Sequence, residues 1–389
     1  MRPRVEIGTG LMVGVCLAGC ATTAGTNAGG AVSTVVPLAI TNVGVEPKTI
    51  DPAQRQIATI RYELSRPATV TVDLVDEEGR VVRQLDAGKQ SAGMRTATWD
   101  GCMTNGRPVP SGVYLYIIRT STVYGLPTTD YSYDPSTTTG SEELEAWKFT
   151  FDKETGLLRW VMPKAGYARV RIGVQGFPHL RTLLDWEPLE AGEQTIAWDG
   201  LDASGLINLK EHPNLSIKLQ AFALPWNTII VRNGSSSADE PSSPRLPSGP
   251  RGGQGRADEP AYPPLNRRDA SYLHAQHARA VCHETRLHVQ FPAETSYDSH
   301  SRPVLSGVVA VRVVLDERDA AQAVNSRFEV AFFEDLTFLS EEEDGSNPFT
   351  YLWDTTHLPP GEHLLTVNVL SYDDHYGVVT VPVMIEGRS

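Results

Sequence analysis

The stretch Ile57–Ile118, IATIRYELSRPATVTVDLVDEEGRVVRQLDAGKQSAGMRTATWDGCMTNGRPVPSGVYLYII, decides the fold. Ile60, Tyr62 and Leu64 alternate with polar residues, and Val70, Val72 and Leu74 repeat the pattern, which is the period of a half-buried strand. Asp76-Glu77-Glu78-Gly79 supplies a polar turn, after which Val81-Val82 resumes the apolar pattern. Trp99-Asp100-Gly101 ends another strand and Asn105-Gly106 is a strong turn signal. Pro110-Ser111-Gly112 then leads into Val113–Ile118, rich in strand-forming residues. Short strands separated by turns at this spacing predict a small all-β sandwich.

Three pieces of this stretch, TIRYELSRPATVTVDLVDEEGRVVRQL, AGMRTATWDG and GRPVPSGVYLY, resemble the immunoglobulin-like module of the FlgD family. That family is first known from flagellar hook-capping proteins and is widespread in bacterial extracytoplasmic proteins. The resemblance implies an immunoglobulin-like sandwich over 44–120. A pattern A-G-x-x-T-x-x-W-D-G then recurs, as residues 92–101 and 191–200. Ala168-Arg169-Val170-Arg171-Ile172 echoes Ala68-Thr69-Val70-Thr71-Val72, and Leu180–Leu183 echoes Val82–Leu85. This is an internal duplication, predicting a second sandwich over 147–231. Its end departs from the family: GLINLKEHPNLSIKLQAF replaces the Gly-Arg-Pro-Val-Pro-Ser-Gly run, so a remodelled last hairpin is expected.

Residues 285–387 predict a third sandwich. The runs SGVVAVRV, FEVAFFED and WDTTHLPPGEHLLTV resemble a second group of bacterial immunoglobulin-like domains, in which a Pro-Gly turn precedes the last strand pair. Residues 121–146 read as a loop, with Tyr124, Tyr131 and Tyr133. Residues 233–264 contain seven prolines, five glycines and six serines in 32 positions, so 232–268 reads as a flexible linker that cannot form a core. A short helix is predicted over 269–284 with Asp269 as N-cap. The expected architecture is a tandem pair, a linker and a separate third domain.

The amino terminus sets the expected compartment. Arg2 and Arg4 precede a short apolar core, Gly10–Leu17, and then Leu17-Ala18-Gly19-Cys20. This has the order of a secretory signal over 1–20 and is too short to span a bilayer. The last four residues resemble the bacterial lipobox, which implies lipidation at Cys20. Residues 21–43 read as a flexible tether. Ala21, rather than an aspartate, implies by the same resemblance sorting to the outer membrane if the cell is Gram-negative. The net charge of −13 argues against nucleic acid and anionic lipid surfaces as partners. Cys102 and Cys282 are the cysteines left outside the signal and the lipid, too few for a disulfide scaffold.

Candidate chemistry is sparse. Trp99-Asp100, Trp198-Asp199 and Trp353-Asp354 each end a strand in a different domain, so their carboxylates cannot converge on one substrate. The simpler reading is a core tryptophan with an aspartate binding backbone amides of the next turn, followed by Gly101 or Gly200 in the duplicated copies. On that reading, truncating Trp99 or Trp198 should unfold its own sandwich and spare the other. His274, His277, Cys282, His283 and His288 form a ligand-rich run in which the first two share a helix face. No Cys-x-x-Cys-His accompanies them, and a polar helix explains them as well. No Gly-x-Ser-x-Gly or His-Glu-x-x-His occurs, and Gly252-Gly253-Gln254-Gly255 lies in the linker. No enzyme, cofactor or small-molecule ligand is expected. The sequence reads as a lipid-anchored envelope scaffold for protein partners. A glycan-binding alternative would use Trp147, Trp160, Trp186 and Trp226 with the loop tyrosines, and a metal-responsive one the histidine run.

Overall fold

In the computed structural model the described residues are 38–77, 79–122, 131–133, 144, 147–176, 178–233, 284–317, 319–320, 328–371 and 376–387. Cys20 and the run from His274 to His283 therefore lie outside the described residues, as do most of the predicted linker and helix. Almost everything described is strand or turn, and the fold is all-β.

The first sandwich begins with β1 (Ile40–Glu46), β2 (Thr49–Ile50), β3 (Ala58–Leu64) and β4 (Ala68–Val75). It continues with β5 (Val81–Gln90), β6 (Gly93–Trp99), β7 (Gly112–Thr122) and the short β8 (Tyr131–Tyr133). One sheet has the order β1-β3-β6. Alternation puts Ile60, Tyr62, Leu64, Val70, Val72 and Leu74 into one core with Trp99, Tyr114, Tyr116 and Ile118. The second copy supplies β9 (Trp147–Asp152), β10 (Leu157–Met162), β11 (Gly166–Val174), β12 (His179–Leu189), β13 (Gly192–Ala197), β14 (Leu215–Ala223) and β15 (Thr228–Val231). Its two sheets are β13-β10-β9 and β12-β11-β14.

The strand β15 changes the expected organisation. The duplication assigned 147–231 to the second sandwich, yet β15 joins the facing sheet of the first, in the order β2-β15-β7-β4-β5. It runs antiparallel to β7 and parallel to β2. Ile229 and Val231 point into the first core, and Ile230 points into a smaller cluster with Val75, Val113, Leu115, Ile117, Tyr167 and Trp186. The second sandwich is thus inserted between the last two strands of the first, and the pair is nested instead of strung in tandem. The expected remodelling of the last hairpin has this form: Leu209 N–H still bonds Gly200 C=O as Val109 N–H bonds Gly101 C=O, but after β14 the chain leaves the second sandwich.

The third sandwich comprises β16 (Leu287–Gln290), β17 (Ser296–Tyr297), β18 (Pro303–Leu305), β19 (Val308–Leu315) and β20 (Phe328–Glu334). It closes with β21 (Thr337–Glu342), β22 (Phe349–Asp354), β23 (Gly361–Ser371) and β24 (Tyr376–Ile385). Its sheets are β16-β19-β22 and β17-β18-β24-β23-β20-β21. It is not separate from the second. Leu336 and Leu364 pack on the core of the second sandwich. The Asn368 amide spans both backbone groups of His179, accepting from its N–H and donating to its C=O, each at 2.8 Å.

Candidate functional site: turn corners and inter-sandwich joints

Each Trp-Asp pair builds a corner at the end of a strand. Trp99 is buried, and its indole N–H donates to Cys102 C=O at 3.0 Å. The next residue, Asp100, accepts Cys102 N–H through Oδ1 at 3.0 Å. Trp198 and Asp199 repeat both bonds onto Leu201, at 2.8 and 3.0 Å. A buried indole keeps its donor satisfied in this way, while the carboxylate holds the turn. Gly101 and Gly200 follow because φ is +73° and +89°; a Cβ would also collide with Pro52 at the first and approach Lys210 within 2.9 Å at the second. The third corner uses other partners. Trp353 donates to Glu334 Oε2 at 3.0 Å, and Asp354 accepts Thr356 N–H at 2.9 Å. Thr355 stands where the duplicated copies have glycine, bonding Gly307 C=O through its hydroxyl at 2.8 Å. The three carboxylates thus stand in three separate corners, each tied to its own turn.

The more concentrated polar chemistry lies at the joints. Strand β11 carries Arg169 and Arg171 where the first copy has Thr69 and Thr71, and both arginines are buried. The Arg169 guanidinium sits 4.4 Å from the centre of the buried Trp186 ring and donates to Gln220 at 2.6 Å. Arg171 lies 3.2 Å from the centre of the Tyr376 ring, which comes from the third sandwich. Stacking on aromatic faces lets a planar, weakly hydrated cation leave water at tolerable cost. Between the first two sandwiches, Arg232 donates to Pro188 C=O at 3.1 Å, beside the cluster that Trp186 shares with β7. Sequence reasoning did not single out Arg169, Arg171 or His179. The available signal was the pair of arginines at period two inside an apolar strand.

Two histidines flank the joint of the second and third sandwiches. His179 meets Tyr376 edge-on at 5.5 Å and approaches Thr182 Oγ1 at 3.2 Å and Glu284 at 3.9 Å. Burial pushes its pKa down; Glu284 opposes this, while Arg171 and Arg169 reinforce it. His363 is the reverse case. Burial resists its charge, but Nδ1 faces Asp335 at 2.7 Å and Nε2 faces Pro359 C=O at 2.9 Å, and the net pKa is raised. Two acceptors on one ring suit imidazolium. Asp335 also accepts Leu364 N–H at 2.9 Å, so the pair fixes the turn beside Leu336 and Leu364, which pack on the second sandwich.

These shifts predict a stability maximum. The His363 contribution is full below the ordinary value of 6.5 and is lost as pH rises to the folded value. The His179 contribution is full above 6.5 and is lost as pH falls to the folded value. Thermal midpoints measured across this range should therefore decline on both sides. His363→Gln should remove the alkaline decline and His179→Gln should blunt the acid one. A midpoint that holds steady on the alkaline side would contradict a charged His363.

Among the described residues, no group of three His, Cys, Asp or Glu side chains converges as a metal site. No described helix is long and apolar enough to cross a membrane.

The architecture defines a multi-sandwich protein of the immunoglobulin-like class. Within it, residues 48–122 match the family model for the FlgD Ig-like domain. Basal-body rod modification protein FlgD of Salmonella typhimurium is 48% identical over 60 residues, 15% of this chain and 26% of that protein. The FlgD of Escherichia coli K12 is 42% identical over 52 residues, covering 13% and 22%. The chain thus spans about a quarter of the length of these curated relatives. The solved structure of FlgD from P. aeruginosa aligns with 24% identity over 24% of this chain and 66% of that one, with a TM-score of 0.20.

Proposed function

We propose that this chain is a non-catalytic cell-envelope scaffold, anchored by lipid on Cys20, that presents protein-interaction surfaces from three immunoglobulin-like sandwiches. The observation that carries the reading is the use made of the reactive-looking residues. Asp100, Asp199 and Asp354 each accept a backbone amide of their own turn, and Trp99, Trp198 and Trp353 are each buried in their own core. The FlgD-type module supports the same reading, since its curated relatives carry the name of a rod modification protein.

The glycan-binding reading loses two of its four tryptophans from the surface. Trp160 and Trp186 are buried, and Trp226 packs nearly perpendicular to Tyr116 with ring centres 6.3 Å apart. A sugar-stacking row needs exposed faces. The side chains of Trp147, Tyr131 and Tyr133 lie outside the described residues, as do Tyr124 and the run from His274 to His283 of the metal-responsive reading; His288 is described, in β16, with its ring 3.1 Å from Gln290 Nε2.

Membrane attachment is tested by cell fractionation. Wild-type protein should partition with detergent-extractable membranes, and Cys20→Ala should move the chain to the soluble fraction. A Cys20→Ala protein that remains with membranes would sink the anchor.

A further inference from the structure

The nesting leaves the second sandwich one strand short. In the first sandwich β7 lies between β4 and β15, and in the third β23 lies between β20 and β24. The equivalent strand, β14, pairs with β11 on one side and is the edge of its sheet. Registers make the comparison residue by residue. Tyr116, Ile118 and Thr120 oppose Leu74, Val72 and Val70, while Leu215, Ile217 and Leu219 oppose Val174, Ile172 and Val170. The first three are buried and the second three are half-buried, although all point at a core. Among the described residues no strand covers this apolar surface, which a last strand covers in the other two sandwiches.

Among the described residues the backbone of this edge is open as well. Ala221 C=O accepts Leu144 N–H at 2.7 Å, on the side away from β11, and Leu215 N–H donates to His212 C=O at 3.1 Å. Antiparallel strands alternate the direction of their ladder groups, so the odd-numbered residues of β14 face outward. Among the described residues, Ile217 N–H and C=O, Leu219 N–H and C=O, Leu215 C=O and Ala221 N–H have no partner. Ladder groups without partners, beside half-buried apolar side chains, form a site for strand addition.

We propose that β14 receives an extended segment of a partner protein, antiparallel to it, with alternate apolar side chains over Leu215, Ile217 and Leu219. On the outer face the exposed Lys218 favours an acidic residue at the facing position. Two other occupants fit worse. A second copy pairing symmetrically through the open groups of 215–221 would set Lys218 opposite Lys218, a repulsive pair. The following segment of this chain, 233–264, holds seven prolines, which lack the ladder donor. The inference rests on the scaffold reading and names the kind of partner it engages.

The test uses the chain from Ala21 onward and a nine-residue peptide of alternating valine and threonine, with one glutamate at its central outward position. Amide exchange is read at Ile217, Leu219 and Ala221, with Ser216, Lys218 and Gln220 as internal controls because they face β11. In the free protein the first three should exchange openly, and saturating peptide should slow them by at least roughly ten-fold. Lys218→Glu, at an exposed position, should weaken the glutamate peptide by about two- to five-fold and strengthen a lysine version comparably. The proposal is overturned if the peptide leaves these amides unchanged. It is equally overturned if they are already protected in the free monomer, which would mean the chain covers its own edge. Protection that grows with protein concentration alongside dimers in light scattering would assign the edge to a second copy. None of these results alters the Cys20 fractionation, so the two readings fail separately.

Discussion

Ile229→Ala should destabilise the first sandwich by about 2–5 kcal/mol, from a position that follows the whole second copy in sequence. Ile229 is fully buried in the core that holds Ile60, Val72 and Trp99, and it sits opposite Tyr114 across the β15–β7 ladder. Deleting its outer carbons removes buried apolar surface and leaves a cavity that a strand pinned on both sides cannot close. The exposed Ile57 is the control, where Ile57→Ala should cost under about 0.5 kcal/mol. A double-mutant cycle locates the effect. Ile229→Ala should couple with Tyr114→Ala by more than about 0.5 kcal/mol and add simply with Leu158→Ala, in the second core. Coupling to Leu158 in place of Tyr114 would return β15 to the second sandwich.

The parts that could be read in advance share a cause. Strand β3 and the first half of β4 show clean alternation because each has one wetter face and one dry face. The two duplicated Trp-Asp corners were readable because an indole and a carboxylate each satisfy a bond within the next few residues. The destination of β15 was not. Thr228-Ile229-Ile230-Val231 is buried on both faces, so it has no polar phase, and nothing in three apolar residues and a buried threonine says which sheet they complete. The contact of His179 with Asn368 was hidden for a different reason: its partners are 189 residues apart, and an amide bridging two backbone groups needs no distinctive sequence around it. Arg169 and Arg171 look like solvent-facing residues of an ordinary edge. Their burial depends on Trp186 and Tyr376, which no local pattern brings to them.

Nesting also changes what should happen when Trp99 or Trp198 is truncated. As beads on a string, the two sandwiches would unfold independently, and each substitution would abolish a different transition. The structure gives them common parts. Tyr167 and Trp186 of the second copy share a cluster with Val113, Leu115 and Ile117 of the first, and β15 can remain in the first sheet only while the second copy holds its approach in place. Each tryptophan is nearly fully buried, so its loss should cost about 3–5 kcal/mol, against about 5–15 kcal/mol for a whole domain. Calorimetry should therefore show Trp99→Ala and Trp198→Ala lowering the same transition, with the third sandwich unfolding in a transition of its own or following the other two. Chemical denaturation should report similar losses for both variants. Two transitions, each responding to only one of the substitutions, would mean that the shared cluster and the returning strand are too weak to make the pair one cooperative unit.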